Sequence, residues 1–203
     1  MGFYSQFIAP RLIDAAMSRP VLSRYRQEIL VAAQGEVLEI GFGSGVNLSY
    51  YPGSLQKLIT IDANPSMNML AQKRIASSHI QVDNRVLNGE NLPMTDNTFD
   101  TVVSTFCLCS IANVEQGIKE IYRVLKPGGI FLFLEHGLSN EANIQNWQNR
   151  LNFINKIIGD GCHINRNIKQ LISAQFNSLI IDQFYVPNTP KIGGYLYQGI
   201  ATK

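Results

Sequence analysis

The apolar run Val37-Leu38-Glu39-Ile40 is followed without a gap by three alternate glycines, Gly41, Gly43 and Gly45, before Val46 and Leu48 resume an apolar pattern. This succession reads as a buried strand, a tight turn and the start of a helix. Glycine at such a turn lets the backbone take positive φ and lets a ligand come closer than a Cβ would allow. A small-molecule site is the natural inference. A βα turn that needs only conformational freedom would use the same residues, so the turn marks a place and leaves the ligand open.

The residues beyond the turn narrow the choice. Leu55 to Ile61 reads as a second strand ending in Asp62, and Asn64-Pro65 as the N-cap and first position of a helix carrying Met67, Leu70, Ala71 and Ile75. An acid about 20 residues past the glycines, at the carboxyl end of the next strand, is placed to accept hydrogen bonds from ribose hydroxyls. Ile80 to Leu87 predicts a third strand and Phe99 to Thr105 a fourth. Asn113 caps a helix with Val114, Ile118, Ile121 and Leu125 on one face, and Lys126-Pro127-Gly128-Gly129 stops it before the strand Ile130 to Glu135. Strands alternating with helices predict a parallel sheet with right-handed crossovers.

Before the glycine turn, Phe3, Phe7, Ile8, Leu12 and Ala16, then Val21, Tyr25 and Ile29, recur at helical spacing with breaks near Pro10 and Pro20. Two short helices forming a cap are expected, packed on the core or covering the ligand site. Arg11, Arg19, Arg24 and Arg26 keep a peripheral membrane contact open. The chain has 203 residues, 45% of them hydrophobic, which suits one α/β domain. Its formal charge of +2 comes without a basic run, so nucleic acid is not an expected partner. Cys107, Cys109 and Cys162 are odd in number and lack metal-ligand spacing, so neither a disulfide framework nor a metal site is expected. With no apolar run of spanning length and no secretory signal pattern, a cytoplasmic protein is expected, with membrane contact at most peripheral.

Glu39-Ile-Gly41-Phe-Gly43-Ser-Gly45, Asp62, Asn88-Gly89-Glu90-Asn91-Leu92-Pro93, Phe99-Asp100 and Arg123-Val-Leu125-Lys-Pro127-Gly128-Gly129 stand in an order that resembles a class I S-adenosylmethionine-dependent methyltransferase. The resemblance runs from about Val37 to the end. It implies a Rossmann-like α/β fold: a seven-stranded sheet, mostly parallel with an antiparallel last strand, with helices on both faces and an N-terminal helical cap. Ser178 to Val186 and Tyr195 to Ala201 would supply the final pair of strands. A single domain spans 1–203, divided into an N-terminal helical extension (1–34), a cofactor core (35–136) and substrate-side helices with C-terminal strands (137–203).

Leu108-Cys109-Ser110, Glu135-His136, the helix bearing Trp147, Gly161-Cys162 with Arg166, and a C-terminal strand ending in lysine are similar to small bacterial methyltransferases and mammalian methyltransferase-like thiol S-methyltransferases. The mammalian proteins carry a hydrophobic N-terminal anchor that this sequence does not show. The resemblance implies S-adenosylmethionine as donor and S-adenosylhomocysteine as product. It implies cofactor contacts from Glu39 (near the ammonium), Gly41, Phe42, Gly43 and Gly45 (the methionine part), Asp62 and Ala63 (the ribose), Asn88, Gly89 and Glu90 (the adenine), and Ser104 and Thr105 beneath the sulfonium.

Methyl transfer from a sulfonium is an in-line displacement, so alignment of donor and acceptor supplies much of the rate. A base is needed only where the acceptor must lose a proton. His136 and His163 are the candidates, because histidine titrates near neutral pH; each could instead simply orient its neighbours. Cys107 and Cys109 read as wall residues, small hydrophobes lining a pocket. The weakly charged segment Trp147, Leu151, Phe153, Ile154, Ile157 and Ile158 could close an acceptor pocket or pack as an ordinary helix. A small apolar acceptor with a thiol, hydroxyl or amine is expected; a quinone-type carbon or a phospholipid amine is the alternative. Two further readings stay open. A nicotinamide oxidoreductase usually places its third glycine one residue later than Gly45, and a non-catalytic cofactor-binding subunit would carry the same motifs.

Overall fold

The computed structural model describes residues 2–203. A seven-stranded sheet forms its centre, in the order β3-β2-β1-β4-β5-β7-β6. The strands are β1 (Val37–Ile40), β2 (Lys57–Asp62), β3 (Gln81–Val86), β4 (Phe99–Thr105), β5 (Leu125–His136), β6 (Ser178–Tyr185) and β7 (Tyr195–Thr202). β1 pairs in parallel with both β2 and β4, whereas β7 runs antiparallel to β5 and to β6. Successive strands therefore lead away from β1 in opposite directions, and such a reversal opens a crevice at the carboxyl ends of β1 and β4.

Side-chain alternation divides the core into two layers. Phe131 and Phe133 of β5 join Leu38, Ile40, Ile118, Ile121 and Phe176 on one face. Leu132 and Leu134 join Leu30, Val37, Leu58 and Val103 on the other. The helices are α1 (Ala9–Met17), α2 (Ser23–Leu30), α3 (Pro65–Ala76), α4 (Val114–Val124), α5 (Ala142–Ile158) and α6 (Ile168–Ser173). Three start on an asparagine cap. Asn64 Oδ1 accepts from Ser66 N–H at 3.0 Å, Asn113 Oδ1 from Gln116 N–H at 3.1 Å and Asn167 Oδ1 from Gln170 N–H at 3.1 Å. Each such cap contributes about 1 kcal/mol.

Several expectations need correction. The helix expected at Val46 is a single 3-10 turn, Val46–Ser49. Pro52 disfavours helical backbone at Tyr51, and the Tyr51 side chain turns inward instead. The fifth strand begins at Leu125, five residues earlier than expected. Phe99 pairs with Leu125 and Thr101 with Ile130, so the Pro127-Gly128 segment is a bulge within the strand.

The N-terminal segment forms a π-helical turn, Tyr4–Ile8, continuous with α1. The predicted apolar stripe does not pack on the core: Phe3, Phe7, Ile8 and Leu12 are exposed, and Ala9 and Pro10 are the buried residues. The same holds for α5. Trp147, Phe153, Ile154, Ile157 and Ile158 are exposed, and the one buried residue of the helix is Gln148, which bonds the carbonyls of Gly137 and Ile192.

Candidate functional site

The glycine turn leaves β1 at the centre of the sheet with φ of 74° at Gly41, 58° at Gly43 and 79° at Gly45. These are values that L-residues rarely adopt, which explains the alternate glycines. A Cβ on Gly43 would meet nothing nearer than the Gly41 carbonyl at 3.9 Å, so this side of the turn is open; a Cβ on Gly41 would overlap Cys107. Asp62, at the end of β2, accepts the Gly43 N–H through Oδ2 at 2.8 Å and the Asn64 N–H through Oδ1 at 2.8 Å. Burial raises its pKa, and these two N–H donors oppose the rise. Each carboxylate oxygen keeps a further acceptor position. Ala63 is exposed beside it.

Beneath the turn lies a buried polar network. Glu39 accepts the Asn47 amide at 2.7 Å on one oxygen and the Tyr51 hydroxyl at 2.7 Å on the other. Burial pushes its pKa up to about 7. Arg26 donates to Asn47 Oδ1, to Thr105 Oγ1 at 3.0 Å and to the Met17 carbonyl at 3.4 Å, and its guanidinium lies 5.3 Å from the centre of the Phe106 ring. A buried cation needs such partners. Arg26 is thus part of the support under the turn and is withdrawn from any membrane-facing surface. Thr105 is engaged in the same network. Ser104, at 0% exposure, donates to Glu135 at 2.7 Å.

The loop after β3 presents Asn88, exposed, whose Oδ1 accepts the Glu90 N–H at 3.0 Å; Gly89 is buried against Ile40, and Glu90 accepts the Asn113 N–H at 3.0 Å. Phe42 is buried in the core. The N-terminal segment crosses the same edge. Ser5 Oγ donates to Asp160 at 2.6 Å, its carbonyl accepts from Asn64 at 3.1 Å, and the Tyr4 hydroxyl donates to the Ile158 carbonyl at 2.6 Å. Deeper in α1, Asp14 accepts from Ser44 Oγ at 2.5 Å and from Arg74 at 2.9 Å.

Toward β5 the chain gathers residues that sequence spacing did not connect. Glu135 Oε1 accepts Ser104 Oγ and the N–H groups of Cys107 and Leu108, whereas its buried Oε2 has no partner among the described residues. Burial, and then Cys109, push this carboxyl up to about 7. His136 Nε2 lies 3.0 Å from Cys162 Sγ, and the ligand atoms of Cys109, His136 and Cys162 all fall within 4.8 Å of one another. The Cys162 thiol, with His136, draws Cys109 well below the usual thiol range. Arg166 donates to the Leu108 carbonyl. His163 contacts Asn152 through Nδ1 at 3.3 Å, and burial with Arg166 lowers its pKa, favouring the neutral ring. The exposed His79 belongs to none of this. Reading the cysteines as wall residues missed the cluster because its members come from three segments more than 25 residues apart.

A family model described as a methyltransferase domain matches residues 38–133. The human thiol S-methyltransferase TMT1A is 33% identical over 192 residues, covering 89% of this chain and 78% of that protein. The corresponding TMT1B of Rattus norvegicus is 36% identical over 152 residues, 72% of this chain and 62% of that protein. The ubiquinone/menaquinone biosynthesis C-methyltransferase UbiE of Hydrogenovibrio crunogenus is 36% identical over 104 residues, 49% and 41% of the two chains. Among solved structures, an S-adenosylmethionine-dependent methyltransferase of Thermotoga maritima superposes with a TM-score of 0.67 over 99% of this chain and 100% of that one, at 17% identity. The fold, the glycine turn joined to an acid at the end of β2, and these likenesses define one class of protein. The chain belongs to the class I S-adenosylmethionine-dependent methyltransferases. Its donor is therefore S-adenosylmethionine and its product S-adenosylhomocysteine, and the open, positive-φ turn edged by Asp62 fits the donor.

Proposed function

We propose that the chain transfers the donor's methyl group to the sulfur of a small apolar thiol. The observation that carries this reading is the cluster of Cys109, His136, Cys162 and Arg166 beside the donor turn. A thiol near neutral pH is only a few per cent ionised, and cationic or metal-binding groups are what hold a thiolate. Likeness to the thiol S-methyltransferases supports the same acceptor.

In this reading the donor lies along Gly41, Gly43 and Gly45. The ribose hydroxyls donate to Asp62, beside Ala63, and the adenine meets Asn88, Gly89 and Glu90. Glu39 and Thr105 act on the donor through the network that fixes the turn, since both are buried within it; Ser104 fixes Glu135, and buried Phe42 packs beneath the glycines. His136 is tied to Cys162, which leaves the neutral ring of His163 as the better proton acceptor. Phe3, Phe7, Phe153, Ile157 and Ile158 are exposed on two segments that the Tyr4–Ile158 hydrogen bond joins, which suits an apolar acceptor and a peripheral contact with a lipid surface. No helix among the described residues is long and apolar enough to cross a membrane.

Alkyl thiols, phenols, quinols and phospholipid amines, each incubated with methyl-labelled donor, test the proposal. Label on the thiol sulfur, reduced in the His163→Ala variant, is expected. Label only on quinol carbon, as likeness to UbiE would suggest, or only on lipid amines, would overturn it.

A further inference from the structure

Cys109, His136 and Cys162 bring two thiols and one imidazole to a common point at the carboxyl edge of the sheet. Two sulfur ligands and one nitrogen ligand form a soft donor set of the kind that selects zinc. Three protein ligands, rather than four, are the mark of a zinc site that keeps a position open for a substrate. With bonds of 2.0–2.3 Å, tetrahedral ligand atoms stand about 3.5 to 3.8 Å apart. The observed Sγ to Nε2 separation of 3.0 Å and the outer bound of 4.8 Å bracket that spacing, so small side-chain movements suffice.

The surroundings agree with such a site. Cys109 lies two residues beyond Cys107, which is in contact with Gly41 of the donor turn. Two residues span at most about 7 Å, so the cluster borders the donor turn. The segment carrying Cys162 is itself held in place: Asn155 donates to the Cys162 carbonyl at 2.7 Å, and the His163 N–H donates to the Cys109 carbonyl at 2.9 Å. These contacts pre-position Cys109 and Cys162, and the pairing of β5 with β7 places His136 opposite Leu196.

We propose that these three residues bind one zinc ion whose fourth position takes the sulfur of the acceptor, a role that rests on the thiol reading above. Zinc binding displaces the thiol protons of Cys109 and Cys162 to solvent. The acceptor thiol then binds as a thiolate, its proton passing to His163 and from there to water. A lone pair of that sulfur forms the new bond to the methyl carbon as the methyl–sulfonium bond breaks. The electron pair of the broken bond goes to the donor sulfur, leaving S-adenosylhomocysteine. The methylated product is a neutral thioether, a weaker ligand than the thiolate, and leaves the ion.

Titration of the reduced full-length protein with Zn2+ against a chromogenic chelator tests the site, without reference to turnover. One ion per chain is expected. Cys109→Ser and Cys162→Ser should each weaken binding by more than a hundredfold, beyond the roughly ten- to hundredfold that loss of an outer partner brings. Substitution with Co2+ should give thiolate-to-cobalt charge-transfer absorption that changes on adding 1-propanethiol and not on adding 1-propanol. Wild-type protein that takes up no more Zn2+ than the double Ser variant would overturn the site, whatever the variants do to folding. A bound cobalt spectrum indifferent to the thiol would overturn the acceptor role. Thiol methylation undiminished after metal removal would sink this inference and leave the proposed function standing. Zinc binding in a protein that methylates no thiol would do the reverse, upholding the site and removing the thiol reading.

Discussion

The carboxylate of Asp62 accepts the backbone N–H of Gly43 across 2.8 Å, so the acid at the end of β2 and the turn after β1 are joined before any donor binds. One side chain holds the turn in shape and, in the proposed reading, accepts from the donor's ribose. Asp62→Ala should weaken S-adenosylmethionine binding by removing charge-assisted hydrogen bonds worth roughly 1.5–3 kcal/mol, about ten- to a hundredfold. Asp62→Asn, which keeps an acceptor and loses the charge, should fall between. Isothermal titration measures both, and unchanged affinity in the alanine variant would contradict the ribose placement.

The strap from Tyr4 to Ile8 should be separable from the fold. Its polar ties reach Asn64 on one side of the cleft and Ile158 and Asp160 on the other, while buried packing begins at Ala9. Removing residues 1–8 should raise the acceptor KM and speed release of S-adenosylhomocysteine several-fold. The melting midpoint should fall by less than roughly 4 °C, the shift of a 1 kcal/mol loss at this size. A truncated protein with full activity and unchanged product release would return the strap to a surface decoration.

Stability should depend on the protonation of Glu39. Its folded pKa, raised by burial to about 7, lies above the usual 4.5 of the unfolded chain. Between these values the folded state keeps a proton that the unfolded state has lost. Stability therefore falls as pH rises through this window and levels off above it. Glu135 is displaced the same way, so the two slopes add. Urea unfolding between pH 4.5 and 7 should show a shallower decline in Glu39→Gln than in the wild type, by up to about 1.4 kcal/mol per pH unit. Parallel curves would show that Glu39 is ionised throughout.

Gly199 of β7 is a packing requirement and not a turn. A Cβ there would collide with the Ile180 carbonyl and the Phe133 ring, where three strands crowd together. Gly199→Ala should destabilise the fold by roughly 1–3 kcal/mol. Donor affinity measured well below the melting midpoint should stay unchanged, because Gly199 lies in the antiparallel half of the sheet. A loss of affinity without loss of stability would refute this separation.

The sequence by itself determined the order of the strands and of the helices other than the one expected at Val46, the glycine turn and the acid beyond it, because these depend on local rules. An apolar run must be buried, positive φ favours glycine, and Asn64-Pro65 starts a helix through its own cap. Tertiary structure alone decided which polar groups meet. Arg26 read as a surface cation because its helix is mostly polar, yet Asn47 and Thr105 hold it in the interior. The apolar stripes of the N-terminal segment and α5 read equally well as packing faces, and only the fold shows that none of the described elements covers them. Cys109, His136 and Cys162 carry no spacing signature. They converge because the loop after β4, the end of β5 and the segment after α5 all arrive at one edge of a parallel sheet, and a linear pattern has no term for that meeting.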